Sequence, residues 1–199
     1  MPVFTVSQRV ALRLAREEGR PLTLRLEAER FEHESCNVIA RHKSTGASRG
    51  KLVIGAHYDT SPAIPGAVDN ASGVAVLLHL ATTLRGQLGD WDVDWVAFGG
   101  EEYGGPGYGI GGYEYMKKHA GEAIRAMVCL DGIGTYLTIP EARVGRSSGL
   151  RALVAKCGTR SGVRALPYRR GSDQGIFHKH AIPTVWYTDG GAENGVRHY

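Results

Sequence analysis

Five segments of the 199-residue chain place an acid or a histidine directly beside an apolar run. His57 and Asp59 follow "KLVIGA". Asp69 lies in "GAVDN", ahead of the apolar "ASGVAVLL". Glu101 and Glu102 follow "WVAFGG". Asp131 follows "VCL" and precedes "GIG". Asp189 follows "IPTVWYT", and a glycine-rich stretch leads from it to His198. Like charges at ~4 Å repel by several kcal/mol at protein-like dielectric, so four gathered carboxylates need neutralising. Two divalent cations would supply the missing charge. Imidazole and carboxylate together suit zinc better than calcium or magnesium. A carboxylate can bridge two metals about 3.5–4 Å apart, and such a pair activates water for hydrolysis. With Glu101 and Glu102 side by side, one would hold metal and the other would take the proton from water.

The elements that must position these residues alternate between strand and helix patterns. Strands are expected at 3–6, 21–31, 36–42, 51–58, 91–100, 123–131, 163–168 and 182–188. Helices are expected at 7–19, 70–86, 111–121, 146–158 and 172–180. Ser7 is a plausible N-cap and Gly19 a stop for the first helix. Strands alternating with helices imply an α/β fold: a mixed, mostly parallel sheet flanked by helices on both faces. In such sheets ligands sit outside the carboxyl ends of the strands. That is where the five segments place their acids and histidines.

The composition narrows the classes. Hydrophobic residues make up 42% and charged residues 22%, as in ordinary globular domains. Net charge is +4, yet there is no basic run or aromatic-studded basic stripe, so no nucleic-acid partner is expected. No stretch approaches the ~18 apolar residues of a membrane span. The start, "MPVFTVSQRV", lacks the charged and apolar regions of a signal peptide. Cys36, Cys129 and Cys157 lack metal-site spacing and read as small buried residues. His79 reads as a packed helix histidine, and Asp173 as a helix cap that braces the site. Asp189 reads as a loop brace. Nothing in the sequence fixes an oligomeric state or a compartment.

"GAHYDTSPAIPGAVDNASGVAVLL", "FGGEEYG", "VCLDGIG", "GSDQGIF" and "IPTVWYTDGGAEN", in this order, resemble the zinc-dependent M28 peptidases of the aminopeptidase Y/S type. The similarity covers about residues 35–198. It implies two zinc ions per chain. His57 and Asp131 would hold one, Glu102 and His198 the other, and Asp69 would bridge them. Glu101 would be the general base and later the acid that protonates the leaving amine. Asp59 would orient His57. The resemblance also implies a cis peptide between Asp69 and Asn70. The implied activity is removal of an N-terminal residue from a peptide with a free N-terminus, by water activated between the two ions.

Two departures from the family pattern stand out. The last histidine usually lies within His-Thr-x-x-Asp, whereas here the chain reads "RHY". Residues 1–34 are similar to the tail of a protease-associated domain, which leaves 35–199 as a C-terminally short catalytic domain. A fragment or shortened product is therefore one expectation. Alternatives of other classes are a glutaminyl cyclase-like transferase with a single zinc, and an inactive, receptor-like relative.

Overall fold

The computed structural model describes residues 6–25, 27, 32, 34–62, 64–103, 109–135 and 138–189. The chain divides into two compact units, Met1–His33 and Glu34–Tyr199.

In the first unit, helix α1 spans Gln8–Ala15, with the Ser7 hydroxyl accepting from the Val10 N–H at its start. The strand expected over 21–31 is absent among the described residues. Leu22 and Leu24 are 59% and 55% exposed there. Alternation alone does not make a strand, because each face and edge needs a partner, and the described residues provide none. Most of the strand expected at 3–6 falls outside the described residues.

The second unit carries strands β1 (Val38–His42), β2 (Lys51–His57), β3 (Asp92–Phe98), β4 (Ile124–Leu130), β5 (Pro140–Gly145), β6 (Arg164–Pro167) and β7 (Thr184–Asp189). Its helices are α2 (Gly73–Thr83), α3 (Ile110–His119), α4 (Ser148–Ser161) and α5 (Gln174–Lys179). One seven-stranded sheet runs β1-β3-β2-β4-β7-β5-β6. β2, β3, β4 and β7 are parallel neighbours, as are β5 and β6, while β1 and β5 run antiparallel to β3 and β7. The sheet is therefore mixed and mostly parallel, as its sequence implies.

The central strands are buried on both faces, which is why "LVIGA" reads as continuous apolar sequence. Val53, Val96, Phe98, Met127 and Cys129 pack against Tyr115 and Met116 of α3 and Ile176 and Phe177 of α5. Ile54, Ala56, Val93, Trp95 and Leu130 face Leu77 of α2 on the other side. Gly55 is the thin point of β2. A Cβ there would lie 2.3 Å from Cε2 of Phe98. Gly55→Ala is thus expected to lower stability by about 1–3 kcal/mol, read as a lower urea midpoint. An unchanged midpoint would mean that Phe98 moves aside freely.

β5 escapes the sequence pattern because Glu141 and Arg143 interrupt its apolar residues. They point inward as a pair: Arg143 donates to Glu141 at 2.7 Å, and Arg164 contacts the same carboxylate. Glu141 is 1% exposed. Two further expectations are corrected by burial. His79 is exposed, with Nε2 3.4 Å from the Thr83 hydroxyl, because it lies off the buried stripe of α2. Of the cysteines only Cys129 is buried; Cys36 and Cys157 are exposed free thiols.

A carboxylate-rich candidate metal centre

The path of the chain creates a crevice at the end of β2. From β2 it crosses through α2 to β3 on one side, then through α3 to β4 on the other. α2 and α3 cover opposite faces, so the end of β2 is a topological switch point, where such sheets bind ligands. His57 is the last residue of β2, and Asp131 follows β4 directly. Asp69 comes from a kinked turn, Ala67–Ser72, that leads into α2. The backbone is non-helical at Asp69 and Asn70, and the peptide between them is cis.

These three side chains converge. His57 Nε2 lies 3.1 Å from Asp69 Oδ1 and 3.3 Å from Asp131 Oδ1. One ligand atom from each residue lies within 4.8 Å of the others. The His57 ring is 1% exposed. Its Nδ1 faces the Asp59 backbone carbonyl at 3.0 Å, which favours the tautomer with a proton on Nδ1 and a lone pair on Nε2. That lone pair points into the gap between the two carboxylates. Asp69 Oδ1 is buried and, among the described residues, has no hydrogen-bond donor of good geometry. An imidazole lone pair and two carboxylate oxygens around a buried gap form a donor set that fits zinc.

Without an ion the electrostatics are frustrated. Burial opposes charge on His57, yet hydrogen bonds to Asp131, Asp59 and Asp69 push its pKa far above the ordinary value. The imidazole is then the cation these acids call for. Glu101 is driven up to about 8, first by burial and, against the opposing pull of His57, by repulsion from Asp131, Asp173 and Glu102. Glu102 is also raised, by burial and then by the charge of Asp69; its carboxyl is not among the ligand atoms that converge on His57.

Asp59 holds the two glutamates in place. Its Oδ1 accepts from the Glu101 N–H and its Oδ2 from the Glu102 N–H, both at 3.0 Å. Burial pushes Asp59 up, but the His57 bond and these two N–H groups bring it down to about 2. A carboxyl held below its ordinary 3.8 stabilises the fold above that pH and loses its contribution as pH falls towards 2. The urea midpoint of the metal-free protein is thus expected to fall more steeply below pH 4 in the wild type than in Asp59→Asn. Parallel curves would deny the Asp59 clasp.

Asp173 is fully buried and makes no capping bond to α5; its carboxylate lies instead against the start of α3, where a Cβ on Gly112 would be 2.9 Å from Oδ1. It also turns towards Glu101. A Cβ on Gly109 would lie 2.4 Å from Asp173 Oδ1 and 3.2 Å from Cγ of Glu101. Burial, helped by Asp131 and Asp59, raises Asp173 to about 7. Asp189 does brace a loop: it accepts from the Thr135 N–H, and its own N–H donates to Gly132 at 3.0 Å. His198 lies outside the described residues. Sequence reasoning passed over Asn37, whose amide accepts from Gly99 at 3.1 Å and donates to Gly111 at 2.9 Å. It also passed over Thr60, whose hydroxyl donates to the Asp69 carbonyl at 3.2 Å. Neither residue has a motif of its own; each matters only through the loop it ties.

A doubly covered α/β sheet with imidazole and carboxylates at its switch point defines a metal-site protein of the zinc-peptidase architecture. The chain belongs to peptidase family M28, whose sequence pattern matches residues 37–198. Over 142 residues, 69% of the chain, it is 34% identical to the Mycobacterium tuberculosis protein named probable lipoprotein aminopeptidase LpqL, covering 25% of that protein. BSAP, a zinc aminopeptidase from Bacillus subtilis, superposes with a TM-score of 0.65 at 25% identity, over 77% of this chain and 40% of that one. A glutaminyl cyclase from an Acidobacteriales bacterium shares the fold, with a TM-score of 0.63 at 20% identity over 75% of this chain and 57% of that one. The chain thus spans a quarter to just over half of the length of these relatives. Among the described residues no helix is long and apolar enough to cross a membrane.

Proposed function

We propose that this protein is a zinc-dependent aminopeptidase that hydrolyses the first peptide bond of substrates with a free N-terminus. The observation that carries the reading is the convergence of His57, Asp69 and Asp131 beside a half-buried glutamate, Glu101. His57 and Asp131 would hold one ion and Asp69 would be shared. Glu102 and His198 would hold a second. Zinc bound there would supply Lewis acidity, polarising the substrate carbonyl and making water more acidic.

The remaining work falls to the chain. Glu101 takes the proton from the attacking water and returns it to the leaving amine. Metal held by Asp131 and Glu102 would offset their repulsion of Glu101 and so lower its pKa towards the ionised form a base needs, against the burial that raises it first. Asp59 fixes Glu101 and Glu102 through their backbone N–H groups, and Asp173 packs behind Glu101. We read residues 1–34 as an appendage and 35–199 as the catalytic region.

The test is hydrolysis of an amino-acid p-nitroanilide by zinc-loaded protein, beside its N-acetylated counterpart. Release of nitroaniline from the free-amine substrate alone is expected. Cyclisation of a Gln-initiated peptide without hydrolysis would favour the cyclase alternative, for which the shared fold is the supporting observation. No turnover by zinc-loaded protein would favour the inactive relative.

A further inference from the structure

The side chain of Asn70 is buried, at 1% exposed, and serves three backbone groups on two elements. Its Oδ1 accepts from the Gly73 N–H at 3.0 Å, where α2 begins, and from the Gly132 N–H at 3.2 Å, beyond β4. Its Nδ2 donates to the Leu130 carbonyl at 2.9 Å. Leu130 and Gly132 flank Asp131, and Asp69 immediately precedes Asn70. One amide therefore ties together the two backbones that carry the converging carboxylates. Ser72 adds a second clasp, donating to Val68 at 2.6 Å and accepting from Ile133 at 3.1 Å.

Gly73 leaves the space this clasp needs. A Cβ there would lie 2.3 Å from Asn70 Oδ1 and 2.4 Å from the Leu130 carbonyl oxygen. Leaving these buried backbone groups without the amide would be costly, so the chain has little freedom to slide α2 along β4. The Asp69 and Asp131 oxygens stand 3.1 and 3.3 Å from the same imidazole nitrogen.

We infer that Asn70 is a positioning residue that sets the separation of Asp69 and Asp131, so that the ion meets a preassembled pair. The inference rests on the metal-centre reading above. A packing role would act on the fold equally with and without zinc. A positioning role acts on zinc affinity itself, and partners of metal ligands typically carry about 10- to 100-fold in affinity.

The experiment titrates zinc into metal-stripped full chain against a chelating dye, and records the urea midpoint of the same zinc-free samples. Asn70→Ala is expected to bind zinc at least about 10-fold more weakly. Asn70→Asp keeps both accepted bonds but sets a carboxylate oxygen against the Leu130 carbonyl in place of the donated bond, and is expected to recover only part of that loss. Should Asn70→Ala not fold, Gly73→Ala displaces the amide without removing it, and the same loss is expected. Either variant, folded and binding zinc as the wild type does, would overturn the inference, whatever its urea midpoint. Wild-type protein that binds no zinc would instead overturn the metal-centre reading itself.

Discussion

Glu101→Gln is expected to lower kcat by about 100- to 10,000-fold while zinc content stays at the wild-type level. Glutamine matches glutamate in shape and leaves the backbone N–H bond to Asp59 Oδ1 intact. The side chain would stay in its buried place against Gly109 and Asp173. It loses only the ability to accept and return a proton. The neutral side chain also removes repulsion from Asp131, Asp173 and Glu102, so the fold should not suffer. Steady-state rates on an amino-acid p-nitroanilide, with zinc measured on the same sample, separate the two roles open to the Glu101–Glu102 pair. A variant that loses zinc as well as rate would make Glu101 a ligand. One that keeps near-normal rate would leave the base assignment without support.

Asp69→Ala is expected to bring bound zinc close to zero, not merely to halve it. The reason is position. Asp69 Oδ1 faces His57 Nε2 at 3.1 Å, while the Asp69 charge also bears on Glu102. In the proposed centre it is the ligand both ions would share. Its side chain is 38% exposed and, among the described residues, Oδ1 meets only His57 at 3.1 Å, so removing it costs little structure. A variant with a wild-type urea midpoint and no zinc is the expected outcome. Elemental analysis still showing two ions per chain would rule out a bridging role.

Much of this was legible because the informative residues sit where chain chemistry leaves a mark. "KLVIGAH" announces a strand buried on both faces with a polar residue at its end, and β2 ends at His57. "VCLD" does the same for β4 and Asp131. Four such endings imply one rim, and the sheet order makes β3, β2, β4 and β7 neighbours. What escaped was set by contacts between distant segments. β5 looked polar because its inward charges are satisfied by one another. Asp173 looked like a cap, since its preference for helix starts is local, while its actual neighbour is a glutamate 72 positions earlier in the chain. Asn70 hides beside a more conspicuous aspartate. Its importance lies in reaching Leu130 and Gly132, about 60 residues away, a distance no local pattern encodes. Over the described part of 21–31 the expected strand is absent for the opposite reason: a fitting local pattern has no partner among the described residues.

The central claim is electrostatic: this rim of acids is built around divalent cations. The most direct measurement is the zinc content, by elemental analysis, of protein saturated with zinc and then dialysed free of loose metal. Two ions per chain are expected in the wild type, falling towards none in Asp69→Ala. A folded wild-type chain that retains no zinc, with His57 titrating as the lone cation among these carboxylates, would contradict it.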